Sequence, residues 1–183
     1  MDARHYSATE TLRDGSVIDI RALRPDDRDG MRSALQHMSE ESIVRRFFAP
    51  RRSFSPQEVS NFLDVDFDSH VALVATQPGD GVPQIVGGGR YIVTSPGTAE
   101  VAFAIPDAHQ HRGLGSLLMK HLILIARAKG LQQFVAEMLP ENTAMLGVLR
   151  KSGLALATRQ DEGILRARAQ LGPPSTSEAE PHD

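Results

Sequence analysis

Residues 113–129 constrain this chain more than any other stretch. Leu114, Leu117, Leu118, His121, Leu122 and Ile125 recur at helical spacing, and Met119, Ile123 and Leu124 carry apolar surface onto the remaining faces. A helix with so little polar surface is predicted to be central to the fold, and Gly130 ends it. Strands and shorter helices are predicted around it. In 16–22, Val17, Asp19 and Arg21 alternate with Ile18, Ile20 and Ala22, a strand pattern. Helices are predicted after the N-caps Asp26, Ser39 and Ser55, the last with Pro56 at its first position. Strands are predicted at 70–76, 84–94, 98–105 and 131–138. Gly87, Gly88 and Gly89 interrupt the second of these, and a bulge or close backbone packing is expected there rather than a ligand contact. Asn142 caps a last helix, and strands at 154–158 and 164–171 follow. This order predicts a mixed α/β (α+β) fold with a largely antiparallel sheet. Residues 1–171 are expected to form one domain, and 172–183 a disordered polar tail.

Composition removes several function classes. There is no cysteine, so disulfides, thiolate metal sites and a cysteine nucleophile are excluded. A formal charge of −3, no tryptophan and 5% aromatic residues give no global field or stacking platform for nucleic acid. Met1-Asp2-Ala3-Arg4-His5 has no apolar core of a secretion signal, and the longest apolar run, 117–126, contains Lys120 and His121. A soluble, cytoplasmic protein without nucleic-acid or membrane partners is expected.

The chemistry concentrates in residues 100–116, where a strand ends, a polar loop follows and the apolar helix opens on glycines. Backbone N–H groups at a helix N-terminus lack internal partners and sit at the positive end of the dipole. Glycines admit a phosphate close to that backbone, and Arg112 adds charge. The loop has neither the Gly-Lys-Ser/Thr ending of a P-loop nor the third glycine of a dinucleotide fingerprint. It matches Gln/Arg-x-x-Gly-x-Gly/Ala, here Gln110-His111-Arg112-Gly113-Leu114-Gly115.

That hexapeptide resembles the coenzyme A pyrophosphate loop of the GNAT superfamily of acyl-CoA-dependent N-acyltransferases. Three further features carry the resemblance: Glu100 on the preceding strand, Asn142 at the start of the helix after the next strand, and the spacing from Asn142-x-x-Met145 to Lys151-x-Gly153-Leu154. The resemblance spans Asp19-Ile20-Arg21-x-x-Arg24-Pro25-x-Asp27 through the final strands. It implies a sheet of six to seven strands flanked by four to five helices, with acetyl-CoA as co-substrate and no metal. Implied cofactor contacts are Phe103, Ala104, Ile105, Gln110, His111, Arg112, Gly113, Leu114, Gly115, Ser116 and Asn142. A backbone N–H near Phe103 or Ala104, where the strand splays from its neighbour, would take the developing oxyanion.

The segments Met38-Ser-Glu-Glu-Ser-Ile-Val-Arg-Arg-Phe-Phe48, Asp64-x-Asp66 and Asp107-Ala-His-Gln110 look like the catalytic domain of Pat-type bacterial protein lysine acetyltransferases, which act on acyl-CoA synthetases. Those enzymes often carry a large synthetase-like or cyclic-nucleotide-binding domain, and neither is expected here.

Lysine has a pKa of about 10.4, so roughly one amine in two thousand is neutral at pH 7, and a base beside it helps. Glu100 is the candidate. Strand alternation sets Glu100, Ala102 and Ala104 on one face, leaving space for an acceptor, and Val101, Phe103 and Ile105 on the other. Many GNAT enzymes place a general-acid tyrosine seven residues after the asparagine; this chain has Leu149 there. A thiol of pKa about 8.5 is a fair leaving group without it. Direct transfer in a ternary complex is therefore expected, with no acetyl-enzyme.

Other signals are weaker. His109, His111 and His121 lack a carboxylate at ligand spacing and are read as structural. Arg45, Arg46, Arg51 and Arg52, around Phe47 and Phe48, are read as a solvated face or an acceptor-docking surface. Asp64, Asp66 and Asp68 are read as solvated. Alternatives to a protein acceptor are a small amine (aminoglycoside, polyamine or amino acid) and an acetyl-CoA-binding module without turnover.

Overall fold

The computed structural model describes residues 1–172, so the tail expected at 172–183 lies, apart from Gly172, outside the described residues. In chain order the elements are β1 (Ser7–Thr11), β2 (Val17–Ala22), α1 (Arg28–Gln36), α2 (Glu40–Phe47), α3 (Pro56–Leu63), β3 (His70–Gln77), β4 (Gln84–Ser95) and β5 (Thr98–Ala104). There follow α4 (Leu114–Ala128), β6 (Gln133–Met138), α5 (Thr143–Lys151), β7 (Ala155–Asp161) and β8 (Ile164–Gln170). The strands form one sheet in the order β1-β2-β3-β4-β5-β6-β8-β7. Every neighbouring pair is antiparallel except β5 and β6. Parallel neighbours need a crossover, and α4 is that crossover.

The mixed fold and the five helices are as expected, whereas the eight strands exceed the expected six to seven. The additional strand relative to the sequence reading is β1. Ser-Ala-Thr-Glu-Thr has no apolar alternation, because β1 is an edge strand held by backbone pairing to β2 from Ser7↔Arg21 to Thr11↔Val17. Asp27, rather than Asp26, organises the entry to α1. Its carboxylate accepts from the Arg24 amide at 2.7 Å and from both terminal nitrogens of Arg21 at 2.7 and 2.8 Å.

The central position of α4 explains the layering. Leu114, Leu118, Met119, Leu122 and Ile125 are buried in one cluster with Leu73, Tyr91, Val101 and Phe134 of the sheet, while Leu124 emerges at 43% exposure. On the other sheet face, Leu23, Ala72, Val74 and Ile85 meet Ala34 and Leu63 of the first three helices. The two faces of β3 thus serve two cores, which is why it reads as an unbroken apolar run. The β4 glycines let these layers close. A Cβ on Gly89 would lie 2.8 Å from the Phe103 ring and 3.3 Å from Leu122, and one on Gly87 would lie 3.4 Å from Ile105. The register also shifts here, Ala75 facing Gly87 and Thr76 facing Ile85, so Val86 is the bulged residue.

Asp66 has a structural task in the turn before β3. It accepts from the amides of Asp68 and His70 and from the Ser69 hydroxyl. The Ser69 bond, aided by those amides, holds its carboxyl at about 2. A depressed carboxyl stabilises the fold above its unfolded pKa of about 3.9, and this stabilisation is lost as pH falls through the folded value. Asp66→Asn is expected to unfold at lower urea than the parent at pH 6, with the gap narrowing below pH ~4 and closing near pH ~2.

Candidate active site

The sheet forks at Glu100. β5 pairs with β6 only at Thr98↔Gln133, Ala99↔Phe134 and Glu100↔Val135; beyond Glu100 the two strands have no paired residues. β5 stays paired to β4 as far as Ala104, and β6 stays paired to β8 as far as Met138. Backbone on the inner edges of the fork therefore lacks a strand partner. A narrow slot occupies the fork, bounded by Glu100, Phe103, Ile105, Gly115, Asn142 and Val148, with about 130 Å³ of space. It shares Arg45, Ile105, Gln110, Gly115, Ala144 and Val148 with a wider groove of about 930 Å³ along the length of α4.

The start of α4 faces both. Gly113 is its N-cap at φ +89°, without a side-chain cap, and the first helical bond runs from the Leu117 amide to the Gly113 carbonyl. The amides of Leu114, Gly115 and Ser116 come before that bond and have no acceptor among the described residues. They can receive an anion. Leu114 is 1% exposed as a whole residue, its side chain packed in the core. His111 is exposed and at φ +61°, so two successive left-handed positions, at His111 and Gly113, shape the loop around Arg112.

The Gln110 and Arg112 side chains are committed within the protein. The Gln110 amide donates to the Ser42 hydroxyl at 3.0 Å and the Ile105 carbonyl at 2.9 Å, tying the loop to α2. Asp107 strengthens the tie by accepting from the Ser39 amide and from the Ser39 and Ser42 hydroxyls. The Arg112 guanidinium donates to Asp14 and Ser16 in the β1–β2 turn and lies 3.1 Å from His109. Ser16 first, and then Arg112, hold the Asp14 carboxyl at about 2, so much of the Arg112 charge is locally matched. The groove's positive character therefore comes from the helix start together with Arg13, Arg45, Lys120, Arg127 and Lys151, which also line it.

Asn142 caps α5 by accepting from the Met145 amide at 3.1 Å, and its Nδ2 has no partner among the described residues. Leu149, the position of the absent tyrosine, is 1% exposed and belongs to the core. Neither tyrosine substitutes for it. Tyr6 is bonded to His121, and Tyr91 is enclosed against Phe134. The three histidines do not gather: His121 contacts Tyr6 and Glu10, His109 contacts Arg112, and His111 lies in the loop.

Residues 18–155 match the family described as acetyltransferase (GNAT) domain. The chain belongs to the GNAT acetyltransferase family. Acetyltransferase PA5475 of Pseudomonas aeruginosa is 34% identical over 137 residues, 74% of each chain. Acetyltransferase Pat of Mycolicibacterium smegmatis is 30% identical over 172 residues, 93% of this chain and 50% of the relative, so the chain spans half of that protein. The crystal structure of the GNAT domain of S. lividans PAT matches with a TM-score of 0.82 and 34% identity, covering 90% of this chain and 96% of that one.

In this GNAT acetyltransferase the predicted residues Glu100, Phe103, Ile105, Gln110, Gly115 and Asn142 line one slot. His111, Arg112, Gly113, Leu114 and Ser116 line the adjoining groove. Ala104 lies apart from both, against the pocket on the α1–α3 side of the sheet. Glu137 also reaches the slot and was missed by sequence reasoning, and Arg46, read as part of a solvated face or an acceptor-docking surface, lines the slot too. Glu137 is paired with Arg166 at 2.8 Å. Its position two residues beyond Val135, the partner of Glu100, was readable only with the strand register known.

Gly115 is where α4 and α5 come closest to the slot. A Cβ there would lie 2.8 Å from Val148 and 3.4 Å from Ile105. Gly115→Ala is expected to fold but bind acetyl-CoA about tenfold more weakly, about 1.4 kcal/mol by calorimetry, with a smaller change in kcat.

Proposed function

We propose that residues 1–171 form one catalytic domain that moves the acetyl group of acetyl-CoA onto the ε-amine of a lysine in a protein of the acyl-CoA synthetase type. Transfer is direct, within a ternary complex, and Glu100 is the general base. The observation that carries the chemistry is the fork: an unpaired β5 edge begins where an exposed carboxylate stands, beside a helix start with free amides. The pantetheine amides complete the edge as an added strand along 101–105, and the diphosphate takes the amides of 114–116.

The acceptor amine then meets the thioester at the mouth of the fork. Glu100 removes one proton, directly or through water, and the nitrogen attacks the carbonyl carbon. A free β5 amide near Phe103 or Ala104 stabilises the oxygen of the tetrahedral intermediate. The nitrogen gives its second proton to water as the C–S bond breaks, so the neutral amide forms and coenzyme A departs as the thiolate, which takes a proton from water. With leucine at position 149, no side chain is required as the acid. The protein acceptor is supported by the likeness to the S. lividans PAT domain and by the exposure of Glu100 and Phe48 beside the slot.

The test offers labelled acetyl-CoA, an acyl-CoA synthetase and a panel of small amines. Label on a synthetase lysine is expected; label on a small amine alone overturns the acceptor. Glu100→Gln is expected to bind acetyl-CoA normally and lose about 10²- to 10⁴-fold in turnover near neutral pH. Unchanged turnover, with chemistry rate-limiting, removes Glu100 from the role. A stable acetyl-enzyme in the mass spectrum contradicts direct transfer.

A further inference from the structure

A second pocket, of about 70 Å³, lies on the opposite side of the β4–β5 pair from α4, beneath α1, α2 and α3. Most of its lining is apolar, including Met31, Leu35, Phe47 and Phe62, but two arginines enter it, Arg46 from α2 and Arg90 from β4. It adjoins the slot, and Met38, Arg46 and Ala102 line both.

Neither arginine has an acidic partner among the described residues, whereas Arg21, Arg45, Arg51, Arg112 and Arg166 all do. The Arg46 guanidinium makes no hydrogen bond there, and its Nε is sealed from solvent without a partner. Its contact is the Phe47 ring, 4.8 Å from the guanidinium carbon. Arg90 donates one Nη1 bond to the Phe62 carbonyl at 3.2 Å, and the same nitrogen lies 3.2 Å from His70 Nε2. Its Nε and Nη2 make no bond among the described residues. Burial, then the neighbouring Arg46 charge, push Arg90 down to about 10. Two like charges under an apolar roof cost stability unless an anion joins them, and guanidinium forks suit a carboxylate.

Sheet register places this pair relative to the chemistry. Arg90 faces Ala102, and Glu100 is two residues back on the same face of β5, opposite Ile92. Strand geometry separates the Arg90 and Glu100 backbone positions by about 8 Å. A lysine amine at Glu100 and an acidic side chain close to it on the same polypeptide can therefore occupy both places.

We infer that the Arg46–Arg90 pocket is a carboxylate-binding subsite, which selects acceptors carrying an acidic side chain near the lysine to be acetylated. The acceptor class rests on the protein-lysine reading above; the carboxylate chemistry does not.

Two measurements separate them. Glutarate and its diamide are titrated into the enzyme–coenzyme A complex. Glutarate is expected to bind and the diamide not. Arg90→Met should weaken glutarate at least tenfold while leaving coenzyme A affinity within twofold. Arg90→Lys, which keeps the charge and loses the fork, gives the same comparison if the methionine variant does not fold. Equal binding of glutarate and diamide, or glutarate affinity indifferent to Arg90, overturns the subsite. Lysine peptides carrying Glu or Gln at each of the four flanking positions are then compared as acceptors. A lower KM for a Glu peptide, lost in Arg90→Met, supports the inference. Gln peptides used as well as Glu peptides at every position overturn it. Glutarate binding without acetylation of any peptide supports the subsite and overturns the protein acceptor.

Discussion

The candidate site depends on a sheet that stops pairing midway. β5 and β6 are joined for three residues and then separate, and backbone groups away from water must find partners somewhere. The fork is held open by packing. Gly115 at the start of α4 fits against Val148 of α5 and Ile105 beyond β5, with no space for even a Cβ. α4 can lie that deep because it is apolar on nearly every face and because Gly87 and Gly89 let Ile105 and Phe103 close over β4. One buried helix thus produces the crossover, the wedge and the free amides at its own start.

Charge is distributed in a way that net charge conceals. The prominent loop arginine, Arg112, is tied to Asp14, while the unmatched guanidiniums of Arg46 and Arg90 lie on the other side of the sheet. Glu100 acts electrostatically on Arg46 without forming an ion pair with it. Basic side chains thus line both the groove along α4 and the pocket beneath α1, α2 and α3.

Much of this was legible in the sequence. The periodicity of 113–129 located the central helix, and the resemblance carried by the glycine start, Glu100 and Asn142 implied a strand splaying from its neighbour near Phe103 or Ala104. The unread parts share a physical reason. β1 is polar and paired through backbone alone, so hydrophobic alternation has nothing to mark. Arg46 sits in a run of arginines and phenylalanines, and only the packing of α2 shows which arginine turns inward. Arg90 follows three glycines and resembles a solvated residue until its cross-strand partner, Ala102, is known. That Gln110 and Arg112, which the resemblance implies as cofactor contacts, also brace the loop depends on partners 68 and 98 positions away.

Amide hydrogen exchange with and without coenzyme A addresses the central claim, that the fork and the helix start together form one acyl-CoA site. The account predicts slowed exchange at both 101–105 and 114–116 on binding, with β1, β2, β7 and β8 unaffected. Binding that leaves either segment exchanging at its free rate would contradict it.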